Sequence, residues 1–153
     1  MDTINWQPHI TVATIVERDG LFLMVREWAD QDHPVLNQPA GHVEAHERFE
    51  DAARRETLEE TGWDVDIINL VGVYVYTPPE RPDRTYVRFC YTARPVHHHA
   101  DRPLDAGIIE AVWLNAEAIL SSDQLRSPLV TQCLQDALAG HNLPEWALQY
   151  TVS

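Results

Sequence analysis

Three glutamates, Glu56, Glu59 and Glu60, are the residues through which this chain could do chemistry. Read as a helix from about Glu47 to Thr61, the stretch puts Glu56 and Glu60 on one face, at 100° per residue, with Glu59 beside them. Stability alone would not choose this arrangement. The carboxylates crowd the negative end of the helix dipole, and like charges at i,i+4 repel by about 0.2–0.5 kcal/mol per pair. A local rule broken in this way marks a functional site. The natural remedy is a divalent cation, because hard oxygen ligands on one face suit Mg²⁺ or Mn²⁺.

The flanking residues serve that helix. Gly41 opens a loop before it, Gly62 stands where a C′ glycine belongs, and Ala52 and Ala53 allow close packing. Glu47 and Arg55 lie two turns apart, so an ion pair along one side is possible and would steady Glu56. The whole run from Gly41 to Trp63 resembles the Nudix box, Gly-x5-Glu-x7-Arg-Glu-U-x-Glu-Glu-x-Gly-U, with U apolar. Gly41, Glu47, Arg55, Glu56, Glu59, Glu60 and Gly62 fill its fixed positions, a coincidence of about one in 10⁸ per starting point at ordinary residue usage. Thr57 departs from the pattern at an apolar position, which bears on packing and not on ligands.

The resemblance implies metal-dependent hydrolysis of a diphosphate on an α/β (α+β) fold, a mixed β-sheet sandwich with the box helix packed against the sheet. It makes Glu56 and Glu60 metal ligands and Glu59 a ligand or the base. It adds the Gly41 carbonyl as a ligand and leaves Glu47 and Arg55 as support. Many family members supply a further acid about six residues before a tryptophan of the last strand. Counting back from Trp113 reaches Gly107, which has no side chain to offer, so Asp105 and Glu110 remain as candidates. For Glu110 a solvated strand position is the simpler reading. Residues 37–42, the TYVRF strand and residues 125–130 are similar to one bacterial Nudix phosphatase subgroup, which releases orthophosphate from nucleoside di- and triphosphates and from the pyrimidine diphosphate of thiamine biosynthesis.

Other residues have two readings each. Arg88, alone in an apolar strand, could grip phosphate or form a surface salt bridge, and Gln38 could join it at the substrate. Tyr74 and Tyr76 could stack a base, although packing is the simpler account; Trp28 is open in the same way. His97–His99 have metal-ligand character, but consecutive loop histidines point in different directions and read better as solvated.

The elements that must position these groups follow from pattern. Residues 9–17 and 21–27 form a hairpin about Arg18-Asp19-Gly20. Residues 28–37 read as a polar loop, 65–77 and 85–95 as strands, and 108–114 as a last strand. Asn115 caps a short helix, and Ser127 caps another with Pro128 at its first position and its end before Gly140. The sequence of 153 residues reads as a single domain over 1–153 with room for a core.

A net charge of −13 from 11 basic and 24 acidic residues argues against nucleic-acid backbone binding, and so against an RNA-end hydrolase. A metal between the acidic site and an anionic substrate would resolve the charge conflict. No signal peptide or membrane span is visible, and two widely spaced cysteines without CxxC read as reduced, so a cytoplasmic protein is expected, monomer or homodimer. The expected partner is a small phosphorylated molecule. The leading function is metal-dependent phosphoanhydride hydrolysis that releases orthophosphate. The alternatives are a nucleoside triphosphate pyrophosphohydrolase and a non-catalytic nucleotide-binding regulator, against which three intact glutamates argue.

Overall fold

A computed structural model describes residues 6–151. The strands are β1 (His9–Arg18), β2 (Leu21–Asp30), β3 (His33–Asn37), β4 (Ala40–His42), β5 (Trp63–Tyr76), β6 (Tyr86–His98) and β7 (Ile108–Asn115); the helices are α1 (Phe49–Thr61), α2 (Ala116–Leu120) and α3 (Pro128–Leu138). They build a mixed sheet organised on β1. Along most of its length β1 runs parallel to β6, from His9 opposite Tyr86 to Val16 opposite Ala93, while its other edge pairs antiparallel with β4. Its last residues turn through Asp19-Gly20 into β2, which carries β3 on one side and β7 on the other. β5 lies antiparallel to β6 on the far edge.

Alternation along β1 sends its side chains to two layers. Ala13 and Ile15 face α2 and α3, in a cluster with Phe22, Met24, Leu36, Cys90, Val130 and Leu134. Val12 faces α1, in a cluster with Ala52, Ala53 and Tyr91, and Val16 joins Leu23, Val65 and Ala93. The sheet is therefore covered on both faces, an α+β sandwich with the box helix on one side.

Several boundaries differ from expectation. The stretch expected as a polar loop holds the end of β2 and all of β3, joined by a tight turn in which the Asp30 carboxylate accepts the Asp32 amide. Its polar residues lie on a strand at the sheet edge, where apolar alternation is not required. β6 continues through His97 and His98. His98 stacks on Trp63 at 4.7 Å, and His99 bonds Asp64 at 2.6 Å, so the three histidines are structural neighbours of β5.

The helix starts at Phe49 and not at Glu47, because His46 adopts a positive φ and Glu47 stays in the turn, its Oε1 accepting the Glu44 amide. Arg48, at the N-cap, offers no side-chain acceptor. The Tyr150 hydroxyl takes that role, accepting the Phe49 amide at 2.9 Å and donating to Glu50. At the other end Gly62, at φ 78°, closes the helix with its amide on Leu58.

Thr57, the box position where an apolar residue was expected, is fully buried against β1. Its hydroxyl donates to the Ala53 carbonyl at 2.7 Å, which leaves it to accept from Thr14, also fully buried, at 2.8 Å. A hydrogen bond between helix and sheet replaces the missing methyl contact. Thr57→Val strands the Thr14 hydroxyl and should cost about 1–3 kcal/mol in urea unfolding. Adding Thr14→Val should recover most of that loss, whereas two strictly additive losses would show that the hydroxyls do not act as a pair.

Candidate active site

The last two turns of α1, the strand β4 and the loop before β7 meet at one place. Glu56 and Glu59 project from α1, and Asp105 approaches from the loop, whose backbone is fixed by the Asp105 amide donating to the Glu59 carbonyl at 3.0 Å. One carboxylate oxygen from each of the three lies within 4.8 Å of the others. Gly41 of β4 abuts this group so closely that a Cβ there would fall on the Glu56 carboxylate. Only glycine lets the strand pass.

Arg55 answers the charge. It grips Glu47 with two bonds, Nε at 2.7 Å and Nη2 at 3.0 Å, a bidentate geometry that lysine could not supply. The same guanidinium donates to Glu56 at 2.9 Å, Glu59 at 3.2 Å and the His42 carbonyl at 3.0 Å. Bonding to Glu47 holds the guanidinium firmly in its charged form, and the Arg55 bond holds the Glu47 carboxyl below its ordinary value.

Glu60 stands behind the cluster. It is 8% exposed, and its Oε1 accepts the Ala40 amide at 2.8 Å, tying α1 to β4. Burial pushes its carboxyl up to about 9; the Ala40 amide opposes the shift, and Glu27, Glu56 and Asp105 add to it. Burial likewise raises Glu56 to about 7, against the pull of Arg55. Expected beside Glu56 as a ligand, Glu60 is outside the group of three, and Asp105 takes the third place in it.

The donor set suits a hard divalent cation: carboxylates on converging elements, one of them held against a glycine that leaves room for nothing else. Glu56, Glu59 and Asp105 are the residues that could hold it. The Gly41 backbone lies alongside.

Other candidates fall elsewhere. Tyr74, a candidate for base stacking for which packing was the simpler account, is a core residue, 7% exposed, with its hydroxyl donating to Asp136 of α3 at 2.7 Å; a phenol between sheet and helix has no face left for a base. Tyr76 packs against the same cluster. Arg88 is buried, 6% exposed, and donates to Gln38 at 2.9 Å, while Gln38 donates to the Val130 carbonyl of α3. Both residues are corrected from substrate contacts to a buried polar link on the α3 side of the sheet. Glu110 pairs with Arg26 at 3.1 Å, the solvated strand position anticipated for it. A cavity of about 590 Å³ between α1, β5 and residues 143–150 is lined by none of the four site carboxylates.

Glu27 and Arg126 had not been singled out. Glu27, at the end of β2, accepts from Asn37 at 2.9 Å, lies near Glu60 and faces Arg126 at 3.6 Å. Its one signal is that it follows Arg26 as the second charge after the buried run of β2, which says nothing about a neighbour on α1.

Comparison with known proteins identifies the family and the fold. The family model described as NUDIX domain matches residues 7–132, and the chain belongs to the Nudix family and is a hydrolase. It is 34% identical over 139 residues to Phosphatase NudJ of Escherichia coli K12, covering 91% of this chain and 89% of the relative. A solved NUDIX hydrolase from Nitrosomonas europaea superposes with a TM-score of 0.90 at 39% identity, covering 95% of this chain and 98% of its own. The MutT protein of Methanosarcina mazei Go1 shares the fold at a TM-score of 0.68 and 20% identity, over 90% and 99% of the two chains. No helix among the described residues is long and apolar enough to cross a membrane.

Two predictions follow from the charges. Below about pH 4.5 Glu56 and Glu60 are protonated both folded and unfolded. Above it the folded chain keeps protons that the unfolded chain loses, so metal-free stability should fall as pH rises, saturating near about 7 for Glu56 and about 9 for Glu60. Glu60→Gln should flatten the upper part of that slope and raise the metal-free Tm at about pH 8. A lower Tm there would mark Glu60 as a structural anion. The second prediction concerns the ion pair. Arg55→Ala should reduce stability and turnover together, and a double-mutant cycle with Glu47→Ala should show a coupling of about 1 kcal/mol or more.

Proposed function

We propose that this protein is a divalent-metal-dependent phosphatase acting on small nucleoside di- and triphosphates or related pyrimidine diphosphates, with Mg²⁺ or Mn²⁺ as the metal and orthophosphate as product. The observation that carries this reading is the convergence of Glu56, Glu59 and Asp105 to within 4.8 Å, on a chain 34% identical over nearly its whole length to a Phosphatase NudJ.

When bound, the metal supplies Lewis acidity toward phosphate oxygens and a more acidic water. The chain's own residues do the rest. Glu56, Glu59 and Asp105 would hold the cation, with the Gly41 carbonyl as a further donor in this reading. Arg55, anchored on Glu47, fixes the Glu56 and Glu59 carboxylates in position before metal arrives and keeps them from repelling each other apart. Glu60 ties β4 to α1, so that the glycine and the glutamates keep their spacing. A carboxylate of this group takes the proton of the attacking water, and the coupled groups share that proton.

Activity should be broad across bases, because the two tyrosines suited to ring stacking are committed to the core. Nucleoside diphosphates should be hydrolysed to monophosphate and orthophosphate. In ¹⁸O-water the label should appear in the released orthophosphate, as required for attack on the terminal phosphorus. Label in the nucleoside monophosphate, with pyrophosphate released from a triphosphate, would assign the chain to the pyrophosphohydrolases instead. Nucleotide binding without any metal-dependent turnover would assign it to the non-catalytic regulators.

A further inference from the structure

The chain contains no lysine, so a side-chain cation fixed in its charged form beside a substrate phosphate is an arginine. Arg55 is fully engaged: Glu47, Glu56, Glu59 and the His42 carbonyl use its donors. Arg88 is sealed beneath the sheet on the α3 side. Arg126 differs from both. Its side chain is 42% exposed, and its ion pair is a single approach to Glu27 at 3.6 Å, too long for a hydrogen bond. Most of its five N–H groups remain available.

Its backbone is nonetheless held. The Arg126 amide donates to the Leu36 carbonyl at 2.9 Å, the Leu36 amide donates to Gln124 at 2.8 Å, and Leu125 bridges Leu36 as a parallel strand would. Residues 124–126 thus lie alongside β3, the strand that leads through Gln38 and Pro39 into β4 and the Glu60–Ala40 bond. Glu27, 15% exposed at its side chain, accepts from Asn37, the last residue of β3, so it links the guanidinium to the strand that leads into the Glu60–Ala40 bond.

We propose that Arg126 binds the oxygens of the terminal phosphate, and that Glu27 is the positioning residue that aims it. The assignment rests on the phosphoanhydride reading above and deepens it. A terminal phosphate carries more charge than an internal one and three oxygens to share, and a planar guanidinium can take two of them in a fork. A cation held by Glu56, Glu59 and Asp105 would supply charge neutralisation to the same phosphate, and Arg126 would add two directed N–H donors to its oxygens.

With Mg²⁺ and a nucleoside diphosphate, Arg126→Ala should lower kcat/KM by about 10- to 100-fold. Tm should hardly move, because the lost ion pair is long and half exposed. Added guanidinium ion should restore part of the rate to Arg126→Ala, and Arg126→Lys should lie between it and the parent. Glu27→Gln keeps the acceptor for Asn37 but loses the charge. It should raise KM several-fold more than it lowers kcat, and should have no further effect in the Arg126→Ala background.

Calorimetric binding of inorganic phosphate in the presence of Mg²⁺ reads the same contact without turnover, and its affinity should fall in Arg126→Ala by a similar factor. Unchanged phosphate affinity in Arg126→Ala overturns the assignment whether or not the chain turns over nucleotides. So does a loss confined to Arg102→Ala, the exposed arginine of the Asp105 loop. Failure of the parent protein to hydrolyse any phosphoanhydride, with phosphate affinity still dependent on Arg126, would leave this contact standing and overturn the proposed reaction alone.

Discussion

Everything at the site depends on one guanidinium among carboxylates. Glu44, Glu47, Glu56 and Glu59 all lie within 4 Å of Arg55, and no other cation among the described residues pairs with them. Arg55 is partly buried, so its bonds are less screened than those of a surface pair. The geometry is one-sided. Glu47 takes both bidentate bonds, which fixes the plane of the guanidinium, and the remaining donors then dictate where Glu56 and Glu59 can sit. A fixed cation at the back of the cluster lowers the repulsion that the protein must bear without metal. It also leaves oxygens of Glu56, Glu59 and Asp105 close to one another.

The sheet turns this local arrangement into a rigid one. α1 is tied to β1 through Thr57 and Thr14, to β4 through Glu60 and Ala40, and to the loop before β7 through the Glu59 carbonyl and Asp105. These three links come from Thr57, Glu59 and Glu60, all in about the last turn of the helix, and they run to three different elements. Rotation of α1 about its axis would break all of them together. The alanines beneath, Ala52 and Ala53, are small enough to bring the helix backbone close to the sheet, which lets such short side chains reach across.

What was legible in the sequence was what depends on spacing within one element. The helix carrying Glu56, the αL glycine at position 62 and the caps at Asn115 and Ser127 all follow from local pattern, and the structure has each of them. What was not legible depends on which elements meet. Asp105 joins the cluster because the loop before β7 is pinned to the end of α1, a contact between residues far apart in the chain. Arg88 and Tyr74 are polar enough to suggest ligands, but cross-strand pairing sets them side by side under α3, where Gln38 accepts from one Arg88 N–H and Asp136 accepts from the Tyr74 hydroxyl. A polar residue in an apolar strand has the same appearance in sequence whether it serves a substrate or a buried hydrogen bond. β3 was missed because an edge strand need not alternate.

The tie between Tyr150 and the start of α1 has a consequence for the order in which the protein can be made. The hydroxyl that accepts the Phe49 amide lies 101 positions further along the chain. β1, for its part, needs β6 to complete its parallel pairing. A chain leaving the ribosome therefore exposes the glutamate helix long before its cap or its supporting strand exists. During that interval the helix has only its own hydrogen bonds, and a segment of 13 residues holds poorly in water on those alone. The carboxylate cluster is thus a late product of biosynthesis, assembled once the tail has come back to meet the box, and an early nascent chain offers metal no preformed place to bind.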